Sequence, residues 1–180
     1  MGVAAPVIYA SSAATTVQVP YNIVVGQPLS LRVTYAGAPS ADFVVASQAI
    51  YPGLFSLDAT GKGQAAALNQ DFSLNSPSNP ARRGDVLVLY GTGEGVTTPA
   101  LATGSLVPLT PPFPQPAVQP VVFFNGQQGT VAYAGEAPGS VSGLFQINVQ
   151  IPTNIPAGAI SVQAAFGGQA TQSGITVSIQ

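Results

Sequence analysis

The sequence predicts an all-β protein of β-sandwich type, and three observations carry that reading. Twenty glycines and 17 prolines punctuate the 180 residues, roughly every ten residues, which is the rhythm of short antiparallel strands. Several of the segments between them alternate apolar and polar side chains with a period of two. No segment keeps a helical period over ten residues, so no helix longer than about two turns is expected.

The strands are taken in chain order. "LSLRVTY" (29–35) places Leu29, Leu31, Val33 and Tyr35 on one face, which a half-buried strand turns inward. "VLVLY" (86–90) is apolar throughout, as in a central strand covered on both faces. "FFNGQQGTVAY" (123–133) sets Asn125–Gly126 between two strands, a strong hairpin signal. "FQINVQI" (145–151) alternates strictly, with Phe145, Ile147, Val149 and Ile151 opposite Gln146, Asn148 and Gln150. "ISVQAAF" (160–166) and "ITVSI" (175–179) behave alike.

The chain also repeats itself. "VQVPYNIVVG" (17–26) matches "VQIPTNIPAG" (149–158), and "LSLRVTYAG" (29–37) matches "ISVQAAFGG" (160–168) after a one-residue slip. "VIYA" (7–10) matches "VAYA" (131–134). Residues 1 to about 47 and 131–180 therefore read as two copies of one strand set. Only the second copy is preceded by further strands, over about 64–124. The expected organisation is a partial module over 1–56, lacking its N-terminal strands, and a complete module over 57–180.

Composition excludes several function classes. Only 6% of residues are charged and the net charge is −2, so four Lys and Arg offer no nucleic-acid footprint. Weak charge repulsion leaves self-association open. With no cysteine and no histidine, disulfides, thiol catalysis, Ser–His catalysis and imidazole-bound zinc are all absent. No apolar run is long enough for a membrane-spanning helix. The opening "MGVAAPVIYASSAA" has no basic n-region and is not a signal peptide; any export signal is expected upstream.

"VLVLYGTGEG" (86–95) raises the question of a phosphate cradle. Gly91, Gly93 and Gly95 give G-x-G-x-G, whereas the dinucleotide fingerprint needs G-x-G-x-x-G opening a helix. Val96 stands at the third glycine position, prolines crowd 99–116, and no acid lies between Glu94 and Glu136. A strand ending in a glycine-rich turn is the expectation, with no cofactor.

"NPARRGDVLVLYGTGEG", "GTVAYAGEAPGSVSGLFQINVQIP" and "YPGLFSLDATGKGQAAALNQDFSLNS" together resemble the uncharacterised C-terminal domain found in many secreted proteins of soil acidobacteria. The glycine-rich element with its closing "Q.N..IP" is similar to immunoglobulin-like IPT/TIG β-sandwiches. The resemblance implies an immunoglobulin-like sandwich and export. It brings no catalytic or ligand residues. The chain departs from that family ahead of residue 7, where the counterpart of 84–95 is missing.

Candidate sites are few. Asp42, Asp58, Asp71, Asp85, Glu94 and Glu136 sit beside Gly, Pro or polar residues or at strand ends, and read as solvated or turn-capping acids rather than a facing glycosidase pair. Asp58, Asn69 and Asp71 surround a glycine turn and offer oxygen ligands for calcium, without the EF-hand spacing. Arg82 and Arg83 read as a solvated pair, with an acidic glycan or carboxylate as the alternative partner; the RGD they open is assigned to chance. Tyr9, Tyr35, Tyr90 and Tyr133 read as core side chains rather than a sugar platform.

The expected function is a non-catalytic extracellular module serving structure, adhesion or cell-surface display. It has no catalytic, cofactor or metal residues, and its partner would be a protein or glycan at the cell surface. The alternatives are a carbohydrate-binding accessory module and a strand-donating filament subunit.

Overall fold

A computed structural model describes residues 2–180, and the chain within them is all-β, with no helix. It divides into two compact units, one ending at Ala49 and one spanning Ile50–Gln180.

The first unit holds β1 (Val7–Ala10), β2 (Thr15–Val17), β3 (Leu29–Leu31), β4 (Thr34–Tyr35), β5 (Ala38–Pro39) and β6 (Phe43–Val45). They form three two-stranded sheets, β1–β2, β3–β6 and β4–β5. The β4–β5 turn needs two left-handed residues and places Ala36 and Gly37 there, at φ 49° and 82°. This is the twist that a two-residue hairpin favours. The alternation of 29–35 does not lead to burial here. Leu31, Val33 and Tyr35 are exposed, as are Tyr9, Phe43 and Val44. Among the described residues of this unit, only Gln18 and Pro20 are buried.

The second unit holds β7 (Gly53–Leu54), β8 (Gly63–Gln64), β9 (Ala67–Leu68), β10 (Val86–Thr92), β11 (Thr97–Thr98), β12 (Gln115–Pro116), β13 (Pro120–Phe124), β14 (Gln127–Glu136), β15 (Phe145–Gln150), β16 (Gly158–Phe166), β17 (Gln169–Ala170) and β18 (Ile175–Ile179). Segment 50–56 belongs here: β7 pairs with β10, and the Tyr51 amide donates to the Gly93 carbonyl at 2.9 Å. One ten-stranded curled sheet runs β7-β10-β15-β14-β13-β16-β18-β8, with β9 beside β10 and β17 beside β16. All its pairings are antiparallel except β18–β8.

Its inner face carries the alternating residues of the sequence: Phe145, Ile147 and Val149 from β15, Ile160, Val162 and Phe166 from β16, and Ile175 and Val177 from β18. Phe145 and Phe166 meet at 5.3 Å between ring centroids. Each such side chain contributes about 1.5–3 kcal/mol by leaving water. Asn125 and Gly126 form the β13–β14 turn at φ 47° and 81°, and β10 is buried through Leu87, Val88 and Leu89.

A polar clamp ties the sheet to the 64–79 segment. Asn75 is fully buried. Its side-chain amide donates to Asn69 Oδ1 and the Ser178 carbonyl, both at 2.9 Å. Its Oδ1 accepts from the Ser178 amide and Gln64 Nε2, each at 2.8 Å.

Candidate functional site

The glycine-rich turn after β10 is built for close packing of backbone. At Gly91 a Cβ would strike the Gly53 carbonyl and the Phe145 ring; at Gly93, with φ 86°, it would strike the Tyr51 carbonyl. Both glycines let the chain around β7 lie against β10. Beyond the turn the chain forms the two-residue strand β11 and an irregular, proline-rich segment, so no helix N-terminus faces the turn.

The turn instead delivers Glu94 into the interior. Glu136 arrives at the end of β14, two strands across the sheet, and both carboxylates are buried. The Gly143 amide donates to the two carboxylate oxygens of Glu136, at 3.2 and 3.0 Å. Glu94 Oε1 is buried with no hydrogen-bond partner. Burial, and then the negative charge of Glu136, push the Glu94 carboxyl up to about 8. Burial and the neighbouring carboxyl both favour the neutral form of Glu94, because two like charges so close do not both ionise cheaply.

The proline-rich segment covers this end of the sheet. The Glu136 amide donates to the Pro114 carbonyl at 2.9 Å, Val107 N to the Ser140 carbonyl at 2.8 Å, and Ser142 N to the Ser105 carbonyl at 2.9 Å. Tyr133 donates its hydroxyl to the Glu136 carbonyl at 2.9 Å and meets Phe113 edge-on at 6.2 Å. Such a pair has the elements of an acid–base couple, yet neither carboxylate reaches solvent.

The reading of the acids as solvated or turn-capping holds for Asp42, Asp58 and Asp71 and fails for Glu94 and Glu136. Asp58 accepts from Ser56 Oγ, Thr60 Oγ1 and the Thr60 amide. Asp71 accepts from the Ser73 hydroxyl and amide. Each therefore closes its own turn, and these hydrogen bonds hold both carboxyls below their ordinary range. Asp42 pairs with Arg32 Nε at 2.6 Å on the surface. Among the described residues, no three acidic, histidine or cysteine side chains gather as a metal site.

A polar cleft of about 470 Å³ opens elsewhere on the second unit, lined in part by Asn69, Asp71, Asn79, Arg82, Asp85 and Gln180. Arg82 thus faces an open cleft, while Arg83 is tied by Nε to the Ile155 carbonyl at 2.6 Å. Phe72, next to Asp71, is exposed and holds a left-handed φ of 63°, a strained conformation for an aromatic residue. Of the four tyrosines read as core, Tyr90 and Tyr133 are half-buried, whereas Tyr9 and Tyr35 are exposed.

No family model matches the chain, and no curated protein or solved structure matches it. No helix among the described residues is long and apolar enough to cross a membrane.

Proposed function

We propose that this chain is a non-catalytic structural module that acts at the cell surface by contact, in adhesion or display. The carrying observation is that the strands of residues 2–49 leave large apolar side chains in water: Val33, Tyr35, Phe43, Val44, Ile8 and Tyr9 are each exposed. Soluble monomers seldom leave so much apolar strand in water unless something binds it. The sealed position of Glu94 and Glu136 supports the non-catalytic part, since a general acid must reach the proton it transfers.

The test is adhesion of cells that display the chain. Displaying cells should bind each other or a protein-coated surface, and the double variant Tyr35→Asp, Phe43→Asp should lose most of that binding. Adhesion no greater than that of bare cells refutes the contact reading. Hydrolysis of a glycoside or ester, abolished by Glu94→Gln, refutes the non-catalytic one.

The polar cleft favours a second reading, carbohydrate binding. Amides, carboxylates and Arg82 supply the hydrogen bonds that sugar hydroxyls need, and the next residue after Asp71, Phe72, is an exposed aromatic. Glycan-array binding lost in both Arg82→Ala and Phe72→Ala would select this reading.

A further inference from the structure

The sheet carries the two buried glutamates to one place. In the strand register, Gly91 of β10 and Glu136 of β14 both lie opposite Phe145 of β15, and Glu94 follows Gly91 by one glycine-rich turn. Gly93 and Gly95, each at φ 86°, bend the chain on either side of Glu94. The two carboxyls hydrogen-bond each other, and the charge of Glu136 also acts on Glu94. Glu94 is 2% exposed and Glu136 0%. The Gly143 amide holds the Glu136 carboxylate in place through both of its oxygens.

Two things are left unbalanced there. The first is charge. Among the described residues the one ion pair is Arg32–Asp42, on the surface. Arg83 is tied to the Ile155 carbonyl, Arg82 lines the polar cleft, and Lys62, the only lysine of the chain, is not among the groups that act on Glu94. Buried acids of one sign are costly unless a counter-charge is brought to them. The second is a lone pair. Glu94 Oε1 is buried with no hydrogen-bond partner, and an orphaned buried oxygen marks the place of a water or an ion. A water would satisfy the oxygen and leave the like-charge repulsion untouched. A cation answers both.

We propose that Glu94 and Glu136 hold one calcium ion beneath the proline-rich segment. The donors decide the metal. They are carboxylate oxygens, and the chain has no histidine or cysteine for softer ions. Calcium takes carboxylates and backbone carbonyls in irregular geometry, whereas magnesium keeps several of its waters, which a closed site does not admit. The charges balance: two carboxylates face a doubly positive ion, and the proton on Glu94 leaves to solvent as the ion enters. The ion ties the turn after β10 to the end of β14, the point that Pro114 also reaches through the Glu136 amide. This site goes beyond the contact reading and does not depend on it.

The test uses the full chain, stripped with a chelator and followed by circular dichroism at pH 8. Calcium chloride at about 5 mM should raise Tm by about 5 °C or more, and magnesium chloride at the same concentration by less than half as much. In weakly buffered solution at pH 7, each calcium bound should release about one proton. The Glu94→Gln chain should lose both responses. Asp58→Asn, altered in an exposed turn, should keep them. A wild-type Tm that calcium leaves unmoved overturns the site, as does a shift without proton release or one that magnesium matches. A shift that persists in Glu94→Gln, or is lost in Asp58→Asn, places the ion elsewhere and also overturns it. Proton release is read on the wild type, so the test holds whether or not the Glu94 variant folds.

Discussion

The buried acid pair makes the stability of the second unit depend on pH in a direction opposite to ordinary acid denaturation. Glu94 titrates near 8 in the folded chain and near 4.3 when unfolded. Between these values the folded state holds more protons, so stability falls as pH rises. The full stabilisation is present below the unfolded value and is lost as pH climbs through the folded one. The slope is at most about 1.4 kcal/mol per pH unit, which puts the loss at pH 7 on the order of 3 kcal/mol. Glu94→Gln replaces the neutral acid by a neutral amide and removes this dependence. The assay is thermal unfolding followed by circular dichroism at pH 4.5, 6 and 8. The wild type should lose roughly 10 °C in Tm across that range, and Glu94→Gln should lose little. At pH 8 the variant should therefore be the more stable chain. A wild-type Tm that is flat or rising from pH 4.5 to 8, or a Gln variant with the same slope, refutes the argument.

Other outcomes rest on single contacts. Asn75→Ala removes the partners of Asn69 Oδ1 and of the Ser178 amide inside the protein, and should cost about 2–4 kcal/mol in urea unfolding. Gly93→Val adds a side chain where φ is 86° and the Tyr51 carbonyl already sits; a loss of about 2 kcal/mol or more is expected, with no change in nucleotide binding because none is expected of the wild type. Saturable micromolar binding of NAD or ATP, lost in that variant, would reverse the reading of the glycine turn. Arg32→Ala breaks an exposed, solvent-screened ion pair and should leave the urea-unfolding midpoint essentially unmoved.

Much of the second unit was legible because its rules are local. The alternation of Phe145, Ile147 and Val149 gave the buried face of β15, Asn125–Gly126 gave the β13–β14 turn, and the uniform apolar run at 86–90 gave a central strand. Two features were not legible, for different reasons. Alternation tells which face of a strand is apolar but not whether anything covers it, so Leu31, Val33 and Tyr35 read as inward and are exposed. Glu94 and Glu136 looked like strand-end acids because each is flanked by glycine or a small residue. Their meeting depends on β15 lying between β10 and β14 and on the 96–114 segment folding over them, which no short window of sequence contains. A lone acid within "AYAGEAPG", next to an apolar strand, was the one available hint.

The most direct test of the account is amide hydrogen exchange on the chain alone. A two-stranded sheet without a covered face opens easily, so Leu29–Tyr35 and Phe43–Val45 should exchange within seconds at neutral pH. The segments Ile160–Phe166 and Ile175–Val177 of the second unit should stay protected for hours. Equal protection of the two sets in dilute, monomeric protein would mean that the first unit already has its core, and would contradict the claim that it presents an open strand surface for contact.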